Sequence, residues 1–204
     1  MTIRLHRGDL PDLSRYGDSV AIDTETLGLN PHRDRLCVVQ LSPGDGTADV
    51  VQIAAGQREA PNLVRLLVDP AVTKIFHFAR FDVAVLGHTF GITVAPIFCT
   101  KIASRLTRTY TDRHGLKDLV KEMLDIDLSK QQQSSDWGAD TLSDAQLAYA
   151  ASDVLHLHAL KDRLTERLAR EGRTAMAAEC FDFLPTRAAL DLAGWAEEDI
   201  FSHS

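Results

Sequence analysis

This sequence has few cysteines, no long apolar run and no excess of positive charge. Its three cysteines, Cys37, Cys99 and Cys180, are widely spaced and form no Cys-x-x-Cys pair, so neither a disulfide framework nor a zinc site is indicated. No stretch reaches the roughly 18 apolar residues of a membrane span, and no apolar segment follows the charges of the first residues. These absences predict a cytoplasmic protein with no membrane partner.

The deficit of positive charge also limits the function. The sequence has 22 Lys and Arg against 29 Asp and Glu, a net charge of −7, which argues against a protein that coats long nucleic acid. A nuclease is not excluded, because clustered carboxylates that hold divalent cations form a locally positive, phosphate-binding site once the cations are bound.

The apolar pattern predicts one α/β domain. Strands are predicted at residues 19–22, 36–41, 50–53 and 74–78. Helices are predicted at residues 62–68, 81–90, 100–106, 116–124 and, after Ser143 as N-cap, as one segment to about residue 171. This order predicts a mixed central sheet flanked by helices and a helical C-terminal half. We expect residues 1–175 to form the domain and the apolar segment 176–204 to pack on it or on another subunit.

Five residues carry the predicted chemistry. Asp23 and Glu25 stand two apart at the end of a strand, so their carboxylates project to one face. Tyr149 and Asp153 stand four apart in a helix, so they also share a face. Asp82 opens a helix after an apolar run, where an aspartate is usually a charge partner of the helix N-terminus.

Taken singly, these residues have ordinary structural explanations, but together they supply four carboxylates and one phenol. That set fits a phosphodiesterase in which two cations about 4 Å apart assist an in-line displacement. Oxygen ligands favour Mg²⁺ or Mn²⁺ over zinc. Tyr149 would orient or deprotonate the attacking water.

Three segments resemble the motifs of the DEDD exonuclease superfamily in its tyrosine-bearing branch. They are residues 23–29, 77–82 and 149–154, and residues 130–137 resemble the corresponding stretch of ribonuclease D. The resemblance implies an RNase H-like fold and a 3′→5′ exoribonuclease with Asp23, Glu25, Asp82 and Asp153 as metal ligands.

The sequence is also similar, nearly end to end, to the compact ribonuclease D-like nanoRNase C family of alphaproteobacteria. Residues 36–41, 107–116 and 200–204 extend the similarity beyond the motifs. It implies degradation of very short RNA, above all dinucleotides, to 5′-mononucleotides, and a homo-oligomer that is a ring-like octamer, built partly from the apolar C-terminal segment.

Candidate substrate contacts surround these motifs. Thr24 lies between the two carboxylates, and the resemblance places Leu29 near the terminal bases as a wedge, although a loop leucine that caps the core has the same pattern. His77 is a candidate contact or a structural histidine at a strand end. Lys130, Gln133 and Trp137 either bind phosphate and frame a base or form a polar loop around one buried tryptophan.

A second candidate cluster, for the 5′-phosphate, lies further from the motifs. Arg108, Tyr110, Arg113 and His114 either bind this phosphate, within one subunit or across a subunit boundary, or form a solvated charged turn.

Two other functions remain open: a less selective exonuclease that trims longer RNA or DNA 3′ ends, and a non-catalytic RNA-binding or scaffold protein on the same fold. The presence of all five site residues argues against the non-catalytic protein.

Overall fold

The fold is built around a mixed β-sheet. The computed structural model describes residues 2–129, 132 and 134–203, and within them the chain forms six strands and seven α-helices. The strands are β1 (Thr2–Arg7), β2 (Ser19–Thr26), β3 (Leu36–Ser42), β4 (Thr47–Gln52), β5 (Thr73–Phe76) and β6 (Ile97–Cys99). The helices are α1 (Pro61–Val68), α2 (Ala79–Phe90), α3 (Thr100–Thr107), α4 (Leu116–Leu124), α5 (Asp144–Leu155), α6 (Leu157–Arg170) and α7 (Thr174–Leu190), with a π-helical turn at Asp191–Trp195.

Strand β2 lies inside the sheet, whose order is β1-β4-β3-β2-β5-β6. It runs antiparallel to β3 and parallel to β5. Because neighbouring parallel strands end at the same edge of a sheet, the residues that end β2 and those that follow β5 meet there. That edge carries the candidate site.

Helices bury both faces of the sheet. Val39 and Leu41 of β3 belong to the larger hydrophobic core, whereas Val38 belongs to a smaller cluster with Trp137 and Ala150. Helix α5 lies against β2, β3 and β4 and so covers the second face. Among the described residues, no helix has both the length and the apolar character that spanning a membrane requires.

Two strands were not predicted from the sequence. β1 pairs in parallel with β4, but its residues are half-buried or exposed and include two arginines and a histidine, so no apolar run marks it. β6 pairs with β5 beyond Pro96, where only helix was predicted. Its three residues are too few to show a strand periodicity.

The predicted long helix after Ser143 is in fact two helices. Its start is confirmed, because the Ser143 hydroxyl accepts from the Gln146 amide and the Gln146 side chain accepts from the Ser143 amide. His156, with φ −103° and ψ −4°, then separates α5 from α6. The apolar spacing continues past this break through Leu157 and Leu160, which are buried, so the break leaves no mark in the sequence.

The C-terminal segment begins as α7, which packs on α2. The predicted boundary between residues 175 and 176 falls in the first turn of this helix. Beyond α7, Arg80 of α2 donates to both carboxylate oxygens of Asp191, at 2.5 and 2.8 Å. The residues that α7 buries are Ala177, Phe181, Leu184 and Ala188.

Candidate active site

Asp23 and Glu25 project from β2 into a cleft of about 600 Å³. Their alternate positions on the strand place them on one face, as predicted. The Asp23 Oδ2 atom accepts a 2.9 Å hydrogen bond from Nε2 of the buried Gln40 on β3. The amide therefore holds one oxygen of Asp23 in a fixed direction.

Helix α5 brings the third carboxylate. Tyr149 and Asp153 lie one turn apart, and the nearby phenol lowers the pKa of Asp153 against the larger effect of burial, which raises it. One carboxylate oxygen each from Asp23, Glu25 and Asp153 lies within 4.8 Å of the others. A strand and a helix that are far apart in sequence thus converge on one point.

Asp82 completes the acidic group from the first turn of α2. Its carboxylate is buried, and its Oδ1 accepts a 2.7 Å hydrogen bond from the Thr24 hydroxyl. Asp82 is close enough to Asp23 that its charge raises the pKa of Asp23. The structure therefore brings all five predicted catalytic residues to one edge of the sheet.

Burial and mutual repulsion make these carboxylates hard to ionise. Burial, and then the charges of Asp153 and Asp82, raise the pKa of Glu25 to about 8. Burial raises the pKa of Asp82 to about 7 and that of Asp153 to about 7. No Lys, Arg or His among the described residues forms an ion pair with any of the four. A divalent cation would supply the missing positive charge, and the all-oxygen donor set fits Mg²⁺ or Mn²⁺.

The walls of the cleft combine polar and apolar side chains. Leu29 is 84% exposed at its rim, whereas the indole of Trp137 is buried and lies 6.0 Å from the Tyr149 ring, centroid to centroid. The Trp137 Nε1 atom has no acceptor among the described residues. Both residues line the cleft.

His77 lines the cleft, and one of its ring nitrogens contacts Thr100. Its Nδ1 atom lies 2.9 Å from the Thr100 hydroxyl oxygen. Burial, and then the charge of Lys101, lower the pKa of His77 to about 3, so the ring is neutral at physiological pH. The Thr100 contact fixes the His77 ring, as it would for a structural histidine. A contact between His77 and substrate stays a prediction.

The predicted phosphate-binding role of Arg108 is not supported. Its guanidinium is buried and donates to both carboxylate oxygens of Glu122 and to the Arg113 carbonyl. The Tyr110 hydroxyl also donates to Glu122, at 2.5 Å, and the His114 Nδ1 atom lies 2.9 Å from the Ser104 hydroxyl oxygen. Arg108 therefore holds the 108–115 loop in shape. Because Glu122 lies 14 positions after Arg108, the local sequence does not indicate this pairing.

Arg113 is exposed, but neither it nor Tyr110 is among the residues that line the cleft. Lys130 and Gln133, two further candidates, lie outside the described residues. Among the described residues, the lysines that line the cleft are Lys101 and Lys117, which were not among the candidate substrate contacts. Phe78 was also missed, although it lies within the second motif.

A family model for a 3′-5′ exonuclease matches residues 10–169. The chain belongs to this 3′-5′ exonuclease family. Within the family, ribonuclease D of Gluconacetobacter diazotrophicus is 41% identical over 154 residues, which cover 76% of this chain and 39% of that protein. The chain spans about two fifths of the length of the curated ribonuclease D relatives that it matches.

Solved structures of exonucleases extend the likeness to the whole chain. Brucella melitensis NrnC with bound Mg²⁺ is 69% identical, with a TM-score of 0.97 and 100% of both chains covered. The same protein bound to pGG is 70% identical, with a TM-score of 0.98 and the same coverage. Escherichia coli RNase D, at 25% identity and a TM-score of 0.76, aligns over 85% of this chain and 46% of its own. The predicted DEDD-type fold and the resemblance to nanoRNase C are confirmed.

Proposed function

We propose that the chain is a metal-dependent 3′→5′ exoribonuclease that hydrolyses very short RNA, dinucleotides above all, to 5′-mononucleotides. The observation that carries the proposal is the convergence of Asp23, Glu25 and Asp153 within 4.8 Å, beside the buried Asp82. Four carboxylates without a basic partner among the described residues are a poor arrangement for stability alone. They are well suited to hold two divalent cations, Mg²⁺ or Mn²⁺.

The residues of the chain have separate parts in this reaction. Bound cations would activate a water molecule and stabilise the departing 3′-oxygen. Gln40 and Thr24 fix the directions of the Asp23 and Asp82 carboxylates through their hydrogen bonds. The Tyr149 phenol, one turn before Asp153 on α5, would hydrogen-bond the attacking water and orient it.

The preference for very short RNA has two supports. NrnC, which is 70% identical over the full length of this chain, has been solved with pGG bound. The cleft is also limited in size, at about 600 Å³, and the aromatic and aliphatic side chains in its lining offer contacts for a few bases. We infer that Leu29 and Trp137 contact the bases of such a substrate.

We further propose that the chain acts in the cytoplasm as a homo-oligomer, an octamer by its resemblance to nanoRNase C. Exposed apolar side chains after and along α7 support a subunit contact, because patches of this kind mark interaction sites. Phe183 and Phe201 pack their rings 5.9 Å apart, and Phe201 is 75% exposed. Trp195 and Ile200, in the same C-terminal segment, are also exposed. A neighbouring subunit would then bring Tyr110 or Arg113 toward a 5′-phosphate.

A less selective exonuclease is the second candidate, because the curated relatives are ribonuclease D proteins. Single-turnover cleavage of 5′-labelled RNAs of two to seven nucleotides, with Mg²⁺ or Mn²⁺ and with chelator, separates the two. Metal-dependent cleavage that is fastest on the dinucleotide supports the proposal. Equal or faster cleavage of the longer RNAs indicates general 3′-end trimming, and no cleavage in either metal indicates a binding protein.

A further inference from the structure

Phe78, which joins β5 to α2, has an unusual backbone conformation. Its φ of 70° and ψ of 45° lie in the left-handed region. Glycine adopts this region freely, whereas a residue with a Cβ atom is strained there. Among the described residues, only one other non-glycine residue, Asp125 at the end of α4, has a positive φ. Such strain in a large aromatic residue persists where the surrounding structure requires it, often at functional sites.

The conformation places the aromatic ring in the active-site cleft. Phe76 at the end of β5 and Asp82 in α2 are both buried, so the chain has to turn sharply between them. The Phe81 amide donates to the Phe78 carbonyl at 3.2 Å and closes this turn. Phe78 itself is 46% exposed and lines the cleft. A glycine would make the turn without strain, so the ring itself needs an explanation.

A positive charge lies over this ring. The Lys101 ammonium nitrogen is 4.2 Å from the Phe78 ring centroid, a cation–π contact. Lys101 has no ion-pair partner among the residues that the structure describes. Burial lowers its pKa from the usual value. An aromatic ring and an unpaired ammonium side by side match the two parts of a nucleotide, its base and its phosphate.

Phe78 also stands between two cavities. With Leu29 and Phe81, it lines both the active-site cleft and a neighbouring apolar cavity of about 730 Å³. This second cavity is bounded on its far side by residues of the C-terminal segment, among them Leu192. A base that lies against Phe78 would therefore lie at the boundary between the two cavities. It would be near the carboxylates but would not occupy the cation site.

We propose that Phe78 stacks on one of the two bases that flank the scissile bond and that Lys101 binds the adjoining phosphate. Nothing in the five catalytic residues recognises a base, so these two side chains supply substrate recognition that the acidic group lacks. The proposal rests on the proposed function in its choice of short RNA as ligand. It makes Phe78 a substrate-binding residue and not a turn residue alone.

The test compares Phe78→Leu with the conservative Phe78→Tyr. Both variants keep a strained side chain at the same backbone position, but only tyrosine keeps an aromatic ring. The probe is a 5′-phosphorylated dinucleotide with 2-aminopurine at one position, titrated with Ca²⁺ in place of the catalytic cation. We expect the wild type and Phe78→Tyr to quench the fluorescence on binding, and Phe78→Leu to bind about tenfold more weakly with less quenching.

A second comparison changes the substrate and not the protein, so it does not depend on the folding of any variant. Removal of one base, to leave an abasic residue, should weaken wild-type binding about tenfold at one of the two positions. At that position Phe78→Leu and wild type should bind equally well. The inference is overturned if Phe78→Leu binds the intact dinucleotide as tightly as wild type. It is also overturned if the difference between the two proteins persists with both abasic substrates.

Lys101→Met provides the test of the phosphate contact. It keeps an apolar side chain over the ring but removes the charge, so the dinucleotide should bind about tenfold more weakly than to wild type at low ionic strength, and this difference should shrink as salt is added. Equal affinity of Lys101→Met and wild type at low ionic strength overturns the role of Lys101. Because these measurements detect binding, they remain decisive if the wild type binds the dinucleotide without cleaving it, which would refute the proposed function alone.

Discussion

The hydroxyl of Thr24 donates a 2.7 Å hydrogen bond to the Asp82 carboxylate and so joins β2 to the first turn of α2. The two residues are 58 positions apart in the chain, yet both are buried at the acidic site. This bond lowers the pKa of Asp82 against the larger effect of burial, which raises it. Thr24 therefore favours the ionised form of one of the proposed metal ligands.

Thr24→Val should shift the pH dependence of activity upward. Valine has nearly the same shape but cannot donate, so the pKa of Asp82 rises further, by about one unit for the loss of a hydrogen bond to a charged group. The rising limb of the pH–rate profile, measured in a single metal, should move to higher pH by about that amount. Thr24→Ser keeps the donor and is the matched control. Identical profiles for valine and wild type would show that Thr24 does not tune Asp82.

Asp153→Asn and Tyr149→Phe should differ in the kind of defect that they cause. The first removes a proposed metal ligand and should lower the single-turnover rate by about 10³-fold or more, with weaker cation binding by calorimetry. The second removes only the hydroxyl that orients water and should lower the rate by about 10²-fold with cation binding retained. Full activity of both variants would mean that the site is misassigned.

The metal-free protein should lose stability as the pH rises. The pKa values of Glu25, Asp82 and Asp153 are raised in the folded state, to about 8, 7 and 7, above unfolded values of about 4. The folded state therefore binds more protons than the unfolded state in this window. Its extra stability is complete below about pH 4 and is lost as the pH rises through about 8.

Denaturant unfolding with chelator at pH 5.5, 7 and 8.5 tests whether the stability falls as the pH rises. We expect the free energy of unfolding to fall by at least about 1 kcal/mol across the series and to recover on addition of Mg²⁺ or Mn²⁺. Asp153→Asn removes one repelling charge, so its curve should be flatter. A metal-free wild type that becomes more stable toward pH 8.5 would contradict the electrostatic description of the site.

Arg108→Met should affect stability before it affects catalysis. The Arg108 side chain is 2% exposed and its partner Glu122 is 35% exposed. Loss of one partner of a fully buried pair costs about 3–5 kcal/mol, and solvent at Glu122 reduces this to about 1–2 kcal/mol. Urea unfolding measures the loss. Arg113→Gln, on the exposed part of the same loop, should leave the free energy of unfolding within about 0.5 kcal/mol of wild type.

The site residues on regular elements were predictable from the sequence because local spacing fixes their direction. Asp23 and Glu25 share a strand face and Tyr149 and Asp153 share a helix face whatever the rest of the chain does. The Ser143 N-cap was predictable for the same reason, since its partner Gln146 lies three residues away.

What the sequence could not show depends on contacts between distant residues. The pairing of the buried Arg108 with Glu122 is one such contact, because the two residues lie 14 positions apart. The break at His156 lies within an unbroken apolar pattern. Phe78 is exposed and has a left-handed backbone conformation that is rare for a residue with a side chain, and neither property is marked in the local sequence.

Arg80 and Asp82 share the first turn of α2, and they face different parts of the molecule. Asp82 belongs to the acidic site. Arg80 donates hydrogen bonds to Asp191, in the segment that carries the exposed Trp195. If the proposed homo-oligomer forms through this segment, Arg80 connects the subunit contact to the helical turn that carries Asp82. By reciprocal linkage, any effect of subunit contact on cation affinity would then be matched by an equal effect of cation binding on self-association.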